Sequence, residues 1–176
     1  HIPERVVVIG GGNTAMDAAS ESARLGASEV TLAYRRPKAD MGAYEFEYDL
    51  AKGVGVRGLF SAQPVEIVGN GKAEGVKFIR TEVVDGQVKE IAGSEFVVSC
   101  EMVILATGQE KQKSLLSQIK GELFDGGGKI KVNAQGQCVN PQYFAGGDAV
   151  NGGAEVVNAA AEGKAAAKGI HSIFMK

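Results

Sequence analysis

Residues 6–9, Val-Val-Val-Ile, run without a break into Gly10-Gly11-Gly12 and then into a stretch with helical spacing. No other feature narrows the folds open to this chain as far. A short, wholly apolar, β-branched run closed by glycines is the pattern of a central parallel strand with both faces buried. Between residues 13 and 25, Ala15, Met16, Ala19 and Ala23 fall on one helical face, and Gly26 supplies a left-handed residue to end the helix. Residues 30–34 read as the next strand. Strand, glycine turn, helix, strand is a βαβ unit, expected to cross over to the right.

A second, shorter helix is expected over residues 44–52, stopped by Gly53, and a strand over 56–60. The sequence VEIVGNGKAEGVKFIRTEVVDGQVKEI then alternates apolar and polar residues around Asn70-Gly71 and Asp85-Gly86, both hairpin-turn signals. It reads as an antiparallel meander placed before a last parallel strand at 101–108. The expected class is α/β: a Rossmann-like domain over residues 1–108, its parallel sheet carrying helices on one side and an antiparallel β-meander on the other.

Residues 109–176 form a second segment. There Gly126-Gly127-Gly128 reads as a flexible loop, KIKVN and YFAGGD as two short strands, and 154–174 as a long helix. The helical stripe Val156, Ala160, Gly163, Ala167, Ile170, Phe174 is apolar and mostly small, which suits close packing on a sheet. Two strands are too few for it to cover. The helix is therefore expected to expose that face or to bury it in a homodimer.

Charge and composition remove whole classes of function. With 19 basic and 21 acidic residues the formal net charge is −2, so no basic field invites nucleic acid. No apolar run approaches the length of a membrane span, and no signal-peptide pattern opens the chain. Cys100 and Cys138 are too far apart for a zinc-type spacing and too few for a disulfide framework. Both are expected to be small core residues in a cytoplasmic protein. The opening HIPERVVVIGGG lacks an initiator Met and enters a buried strand within five residues, so the chain is expected to be a piece of a longer protein.

Between strand and helix lies Gly10-x-Gly12-x-x-Ala15. The first glycine allows the tight turn, the second lets backbone approach a pyrophosphate, and the third position must be small for helix and strand to pack. The helix start near Asn13 then turns its orphan N–H groups and positive end toward the phosphates. Arg35 follows Gly10 by 25 residues, at the end of the second strand, where an adenosine ribose would sit. An acid there favours a 2′-hydroxyl; an arginine favours a 2′-phosphate. A charge-assisted hydrogen bond contributes roughly 1.5–3 kcal/mol. Arg35 and Arg36 together could thus favour NADPH over NADH on the order of a hundredfold. Further on, Asp148 follows a strand and two glycines, and Gly152-Gly153 lead into the last helix. Those residues fit either an anion-binding helix start or a tight packing site.

The segments VVVIGGGNTAMDAA, VTLAYRRP, EYDLAKGVGV, VILATGQ and YFAGGDAVNGGAEVVNAAAEGKAAA, in this order through nearly the whole chain, resemble a known family. It is the two-dinucleotide flavoprotein family with the pyridine nucleotide-disulphide oxidoreductase fold, and within it the glutamate synthase small-subunit group. The resemblance implies that Gly10, Gly11, Gly12, Asn13, Thr14 and Ala15 form the NADPH pyrophosphate turn and that Arg35 and Arg36 meet the 2′-phosphate. It also implies that Thr107 and Gly108 lie near the nucleotide, where the chain returns toward a flavin domain. Gly147 and Asp148 would meet the ribityl-phosphate region of FAD, and the helix start at Gly153, Ala154, Glu155 and Val156 would face its ring system. Glu47 matches an acid of relatives, where capping and solvated roles both fit. Asn13 stands where many relatives carry Asp, and Gly42 where Pro is common, so the loop at Gly42 is expected to be looser.

Family members also carry an iron–sulfur segment and a glycine motif for the FAD adenosine. By resemblance, residues 1–108 correspond to the NADPH-binding domain and 109–176 to the carboxyl-terminal return of the FAD-binding domain. The piece alone is expected to hold FAD weakly and to be inactive. In the full protein NADPH would reduce FAD, with electrons passing to iron–sulfur clusters, a glutamate synthase large subunit or another acceptor. No residue is nominated as catalytic acid, base, nucleophile or metal ligand; His1 and His171 read as surface residues. Two other readings stay open: a thioredoxin reductase-like enzyme without its cysteine pair, and a non-catalytic dinucleotide-binding module.

Overall fold

In the computed structural model, which describes residues 1–109, 113–119, 121 and 123–175, contacts within the chain separate two units, His1–Gly108 and Gln109–Lys176. The first is built on β1 (Arg5–Ile9), β2 (Glu29–Tyr34), β3 (Arg57–Phe60) and β8 (Met102–Leu105), a parallel sheet in the order β3-β2-β1-β8. Strand alternation sorts the two faces of β1. Val6 and Val8 join Ala15, Met16 and Ala19 of α1 (Asn13–Arg24) and Tyr48 and Ala51 of α2 (Glu45–Gly53). Val7 and Ile9 point the other way, into Ala62, Val76, Phe78 and Cys100. Helices cover one face and the meander covers the other, as the sequence predicts.

The meander consists of β4 (Ala62–Val68), β5 (Gly75–Val84), β6 (Gln87–Glu90) and β7 (Phe96–Ser99). Asp85 and Gly86 close the β5–β6 hairpin with both φ positive, at 53° and 75°, which is the two-residue turn of tightly twisted strands. Around Asn70-Gly71 the connection is longer, closed by the Glu74 N–H on the Val68 carbonyl. β6 and β7 run along the same edge of β5, interrupted by a turn at Ile91–Ser94; the alternation pattern had shown no such break. Gly53 proves to be helical, and the left-handed residue after α2 is Gly55, at φ 95°. Among the described residues no helix is long and apolar enough to cross a membrane.

The second unit departs further from expectation. KIKVN and YFAGGD form single bridges, Phe124 with Ile130, Val132 with Cys138 and Gln137 with Phe144, rather than strands. Local side-chain turns compete with a ladder here. Asn133 Oδ1 accepts the N–H groups of Gln135 and Gln137, at 2.9 and 3.0 Å. Asp125 Oδ1 accepts those of Gly127 and Lys129, so the glycine run expected to be flexible is a closed turn. Besides α3 (Lys113–Leu116) and α4 (Asp148–Asn151), the unit contains α5 (Val156–Phe174), whose first turn is capped reciprocally by Glu155 and Asn158. The face of α5 that packs on its own unit is Ala159, Glu162, Ala166 and Gly169, against Gly136, Phe144, Gly146 and Gly147. The stripe of residues 156–174, expected to be exposed or buried in a homodimer, points outward: Val156 is 84 % and Phe174 81 % exposed. Both cysteines are free and buried, and burial pushes both thiols up.

Phe78 lies fully buried between the sheet and the meander, stacked with Phe96 at 5.9 Å. Phe78→Ala is expected to lower unfolding free energy by about 3–5 kcal/mol in urea titration. A second expectation concerns Glu101, whose carboxylate takes the Arg5 backbone N–H at 2.9 Å and its guanidinium at 2.8 Å, tying the start of β1 to the β8 edge. The backbone N–H, then the guanidinium, hold this carboxyl below its ordinary value of 4.5. A depressed value means that the contribution is present above about pH 4.5 and is lost as pH falls through the lower folded-state value. Melting curves of wild type and Glu101→Gln should therefore separate above that pH and converge in acid.

Candidate functional site

The turn after β1 is shaped by three glycines with three different surroundings. A methyl group at Gly10 would run into the carbonyl oxygen of Ala106 and approach Ala15, itself fully buried. At Gly11 a methyl would lie 2.5 Å from the ring of Tyr34. At Gly12 it would meet nothing within 4 Å. The first two glycines let chain segments pass close together, while Gly12 fronts open space. It is also the N-cap of α1, and neither a side-chain cap nor an acidic residue stands in the first turn. The N–H groups of Gly11, Gly12, Asn13 and Thr14 have no acceptor among the described residues. Four donors without acceptors at the positive end of a helix, beside the open space at Gly12, favour an anion.

The loop from residue 35 to 44 forms the second wall. Ala43 donates its N–H to the Gly11 carbonyl at 2.9 Å, and Tyr44 donates to Asn13 Oδ1 at 3.0 Å. These bonds hold the start of α2 against the start of α1, so the loop at Gly42 is pinned rather than loose at its far side. An aspartate at position 13 could accept the same bond, which is why Asn13 keeps the geometry without the charge. Glu47 lies in the first turn of α2 and forms no side-chain cap. The Tyr34 hydroxyl donates to the Asp40 carbonyl at 2.9 Å, closing the loop over the glycine turn.

The two arginines differ. Arg35 is exposed and its guanidinium has no partner among the described residues; its carbonyl accepts the Thr81 hydroxyl at 2.8 Å. Arg36 is 31 % exposed, donates Nη2 to the Gly86 carbonyl at 3.1 Å, and has Nη1 3.7 Å from the Asp40 carboxylate. Beyond β8, the Ala106 N–H bonds the Ile9 carbonyl at 2.8 Å, and Thr107 and Gly108 follow it, both exposed. Gly10–Ala15, the 35–44 loop and the strand end before Thr107 thus meet at one rim.

In the second unit Gly147 has φ 68° and donates its N–H to Glu162 Oε2 at 2.6 Å, while Asn151 donates to Glu162 Oε1 at 3.2 Å. Gly146 and Gly147 pack on α5, so this pair serves close approach. Asp148 is exposed at the start of α4; its carbonyl accepts the Gly152 N–H at 2.9 Å, and its carboxylate has no partner among the described residues. Gly153, Ala154, Glu155 and Val156 are exposed, and Glu155 already caps α5. Thr81, Tyr34 and Glu162 are structural members of these sites that sequence reasoning missed. The signals were present: a Thr between Arg80 and Glu82 at an inward position of the alternating β5, and a lone acid in the Ala-rich NAAAEGKAAA.

The sequence profile of the pyridine nucleotide-disulphide oxidoreductases matches residues 1–163. The chain is 42 % identical over 181 aligned residues to the glutamate synthase [NADPH] small chain of Escherichia coli (strain K12), covering 95 % of this chain and 38 % of that protein. It is 38 % identical to the protein of the same name from Halomonas elongata, with the same coverage. The chain thus spans about two fifths of the length of these curated relatives. Among solved structures, T. acidophilum thioredoxin reductase superposes with a TM-score of 0.82 at 28 % identity, over 98 % of this chain and 53 % of that one.

The contact between Gly11 and Tyr34 can be tested by a double substitution. Gly11→Ala is expected to destabilise by about 1–3 kcal/mol through overpacking. In a Tyr34→Ala background the same change should have little effect, as read by urea denaturation.

Proposed function

The chain belongs to the pyridine nucleotide-disulphide oxidoreductase family, and from that premise we propose that it is the NADPH-binding portion of a flavoprotein oxidoreductase of the glutamate synthase small-subunit type. The observation that carries this reading is the unpaired guanidinium of Arg35 on the same rim as four acceptor-free N–H groups. A nucleotide laid across that rim would set its pyrophosphate before Gly12, Asn13 and Thr14, where the open space fits close backbone approach. Its adenosine end would reach Arg35, and Arg36 lies behind it. Thr107 and Gly108 would border the nicotinamide half.

When bound, nicotinamide and flavin supply hydride transfer themselves. The chain's part is to bind and orient, and no side chain is assigned to acid–base work. Within the second unit we assign to FAD the free carboxylate of Asp148 and the exposed turn from Gly153 to Val156, with Gly147 positioned by Glu162. The capping of α5 by Glu155 leaves that helix start less open to an anion than the start of α1, so the flavin contacts here form part of a site rather than a whole one. The outward stripe of α5 is then where the remaining length of a longer flavoprotein would pack. Electron delivery to iron–sulfur clusters or to a partner subunit in the cytoplasm completes the proposal.

The likeness to thioredoxin reductase favours a second reading. Against it, Cys100 and Cys138 sit in different units, both buried, and burial makes both poor thiolates.

In calorimetry the chain is expected to bind NADPH tighter than NADH by about tenfold or more, the worth of one charge-assisted bond. Arg35→Ala should bring the two dissociation constants within about threefold of each other. Equal constants in the unaltered chain would remove the reading.

A further inference from the structure

The dipeptide Arg35-Arg36 leaves the parallel sheet just past its last paired residue, Tyr34 opposite Phe60. Backbone carbonyls at such an exit lose their ladder partners. Here both are taken up, one by the meander and one by the residue that leads into it. The Arg35 carbonyl accepts the Thr81 hydroxyl at 2.8 Å, and the Arg36 carbonyl accepts the Ser61 N–H at 3.1 Å. Ser61 and Thr81 are joined in turn, the Thr81 N–H on the Ser61 carbonyl at 3.0 Å. Ser61, at this junction, is one of two non-glycine residues among those described with positive φ, at 51°. Thr81 is 5 % exposed; a hydroxyl that deep needs an acceptor, and Arg35 supplies it. Arg36 adds a third tie, from its guanidinium to the Gly86 carbonyl in the hairpin turn.

We infer that the meander sets the nucleotide preference: Thr81 and the Arg36–Gly86 bond are positioning elements that hold Arg35 where a 2′-phosphate would meet it, and Arg36 is not itself a phosphate ligand. The inference rests on the NADPH reading above. Its physical basis is a division of labour between two adjacent guanidinium groups. Arg36 has Nη2 bonded to a carbonyl and Nη1 3.7 Å from a carboxylate, so a phosphate would compete with both for it. Arg35 has nothing to leave. A charge-assisted bond is steep in distance and angle, so the placement of the Arg35 backbone decides how much of that bond is realised.

A double-mutant cycle in calorimetry tests this, reading the ratio of NADH to NADPH dissociation constants in the full 176-residue chain. Thr81→Val should lower the ratio by about threefold to tenfold, the range of one lost hydrogen bond, with the NADH constant unmoved. Thr81→Ser should restore it. In an Arg35→Ala background Thr81→Val should leave the residual ratio unchanged, because nothing remains to position. Arg36→Met, a change at a side chain closer to the surface, should behave the same way and carries the test should Thr81→Val fail to fold. A ratio that survives Thr81→Val overturns the inference alone. So does a ratio that falls further when Arg36→Met is added to Arg35→Ala, since Arg36 would then touch the phosphate directly. An unaltered chain with a ratio of one overturns the NADPH reading, and this inference with it.

Discussion

β1 has no solvent face, and the first unit is arranged around that condition. Its even-numbered residues need a helical layer and its odd-numbered ones need something else, which the meander provides. The strand must also end abruptly, because its last carbonyl and the Ala106 N–H pair across to β8 while the chain turns back into α1. Gly10 is the residue that makes the end possible, lying against the Ala106 carbonyl where no side chain fits. The rim follows from packing: the same close approach that buries Val6–Ile9 leaves the first N–H groups of α1 with nothing to bond.

A parallel sheet with one helical face is common; an antiparallel layer on the other face has consequences for charge. The hairpin that covers Val7 and Ile9 also reaches the end of β2, where Thr81 takes up the Arg35 carbonyl and Ser61, just before β4, the Arg36 carbonyl. A cationic loop at a strand end would ordinarily be mobile, since two adjacent guanidinium groups repel and their backbone is unpaired. Here the backbone is tied at both residues, and one of the two charges is directed at Gly86 and Asp40. The cover of the hydrophobic face and the order of the basic loop come from one element.

Much of this was legible in the residues, for reasons that can be stated. The β1–α1–β2 unit announces itself because a β-branched run, three glycines and a period-3.6 stripe agree locally. The meander is legible for the same reason, since its period is two and its Asp85-Gly86 turn needs positive φ. What was not legible depends on partners distant in sequence. That Arg35 is free and Arg36 engaged turns on Gly86, fifty residues on. That Gly11 is needed for Tyr34, and Gly12 for open space, is invisible in a string of three identical letters. The misread strands of the second unit have a local cause instead: Asn133 and Asp125 offered their neighbours' N–H groups a nearer acceptor than any ladder. On α5 the apolar stripe is exposed, one of the two outcomes expected of it; that a different face packs was not legible, because that face is chosen by Gly136, Gly146 and Gly147, and a glycine surface accepts Ala159 and Ala166 more closely than it accepts valine or phenylalanine.

Glu162 and Asp148 show how the second unit sorts two carboxylates into two roles. Glu162 sits mid-helix on the packing face, an unfavourable place for a charge unless its oxygens are bonded. Both are: one takes the Gly147 N–H, the other the Asn151 amide. Those bonds fix the start and the end of α4 relative to α5, and Gly147 can occupy φ 68° there at no steric cost. Asp148, one residue on, is left at the surface with its carboxylate unengaged among the described residues. An acid directed inward thus sets the place of an acid directed outward.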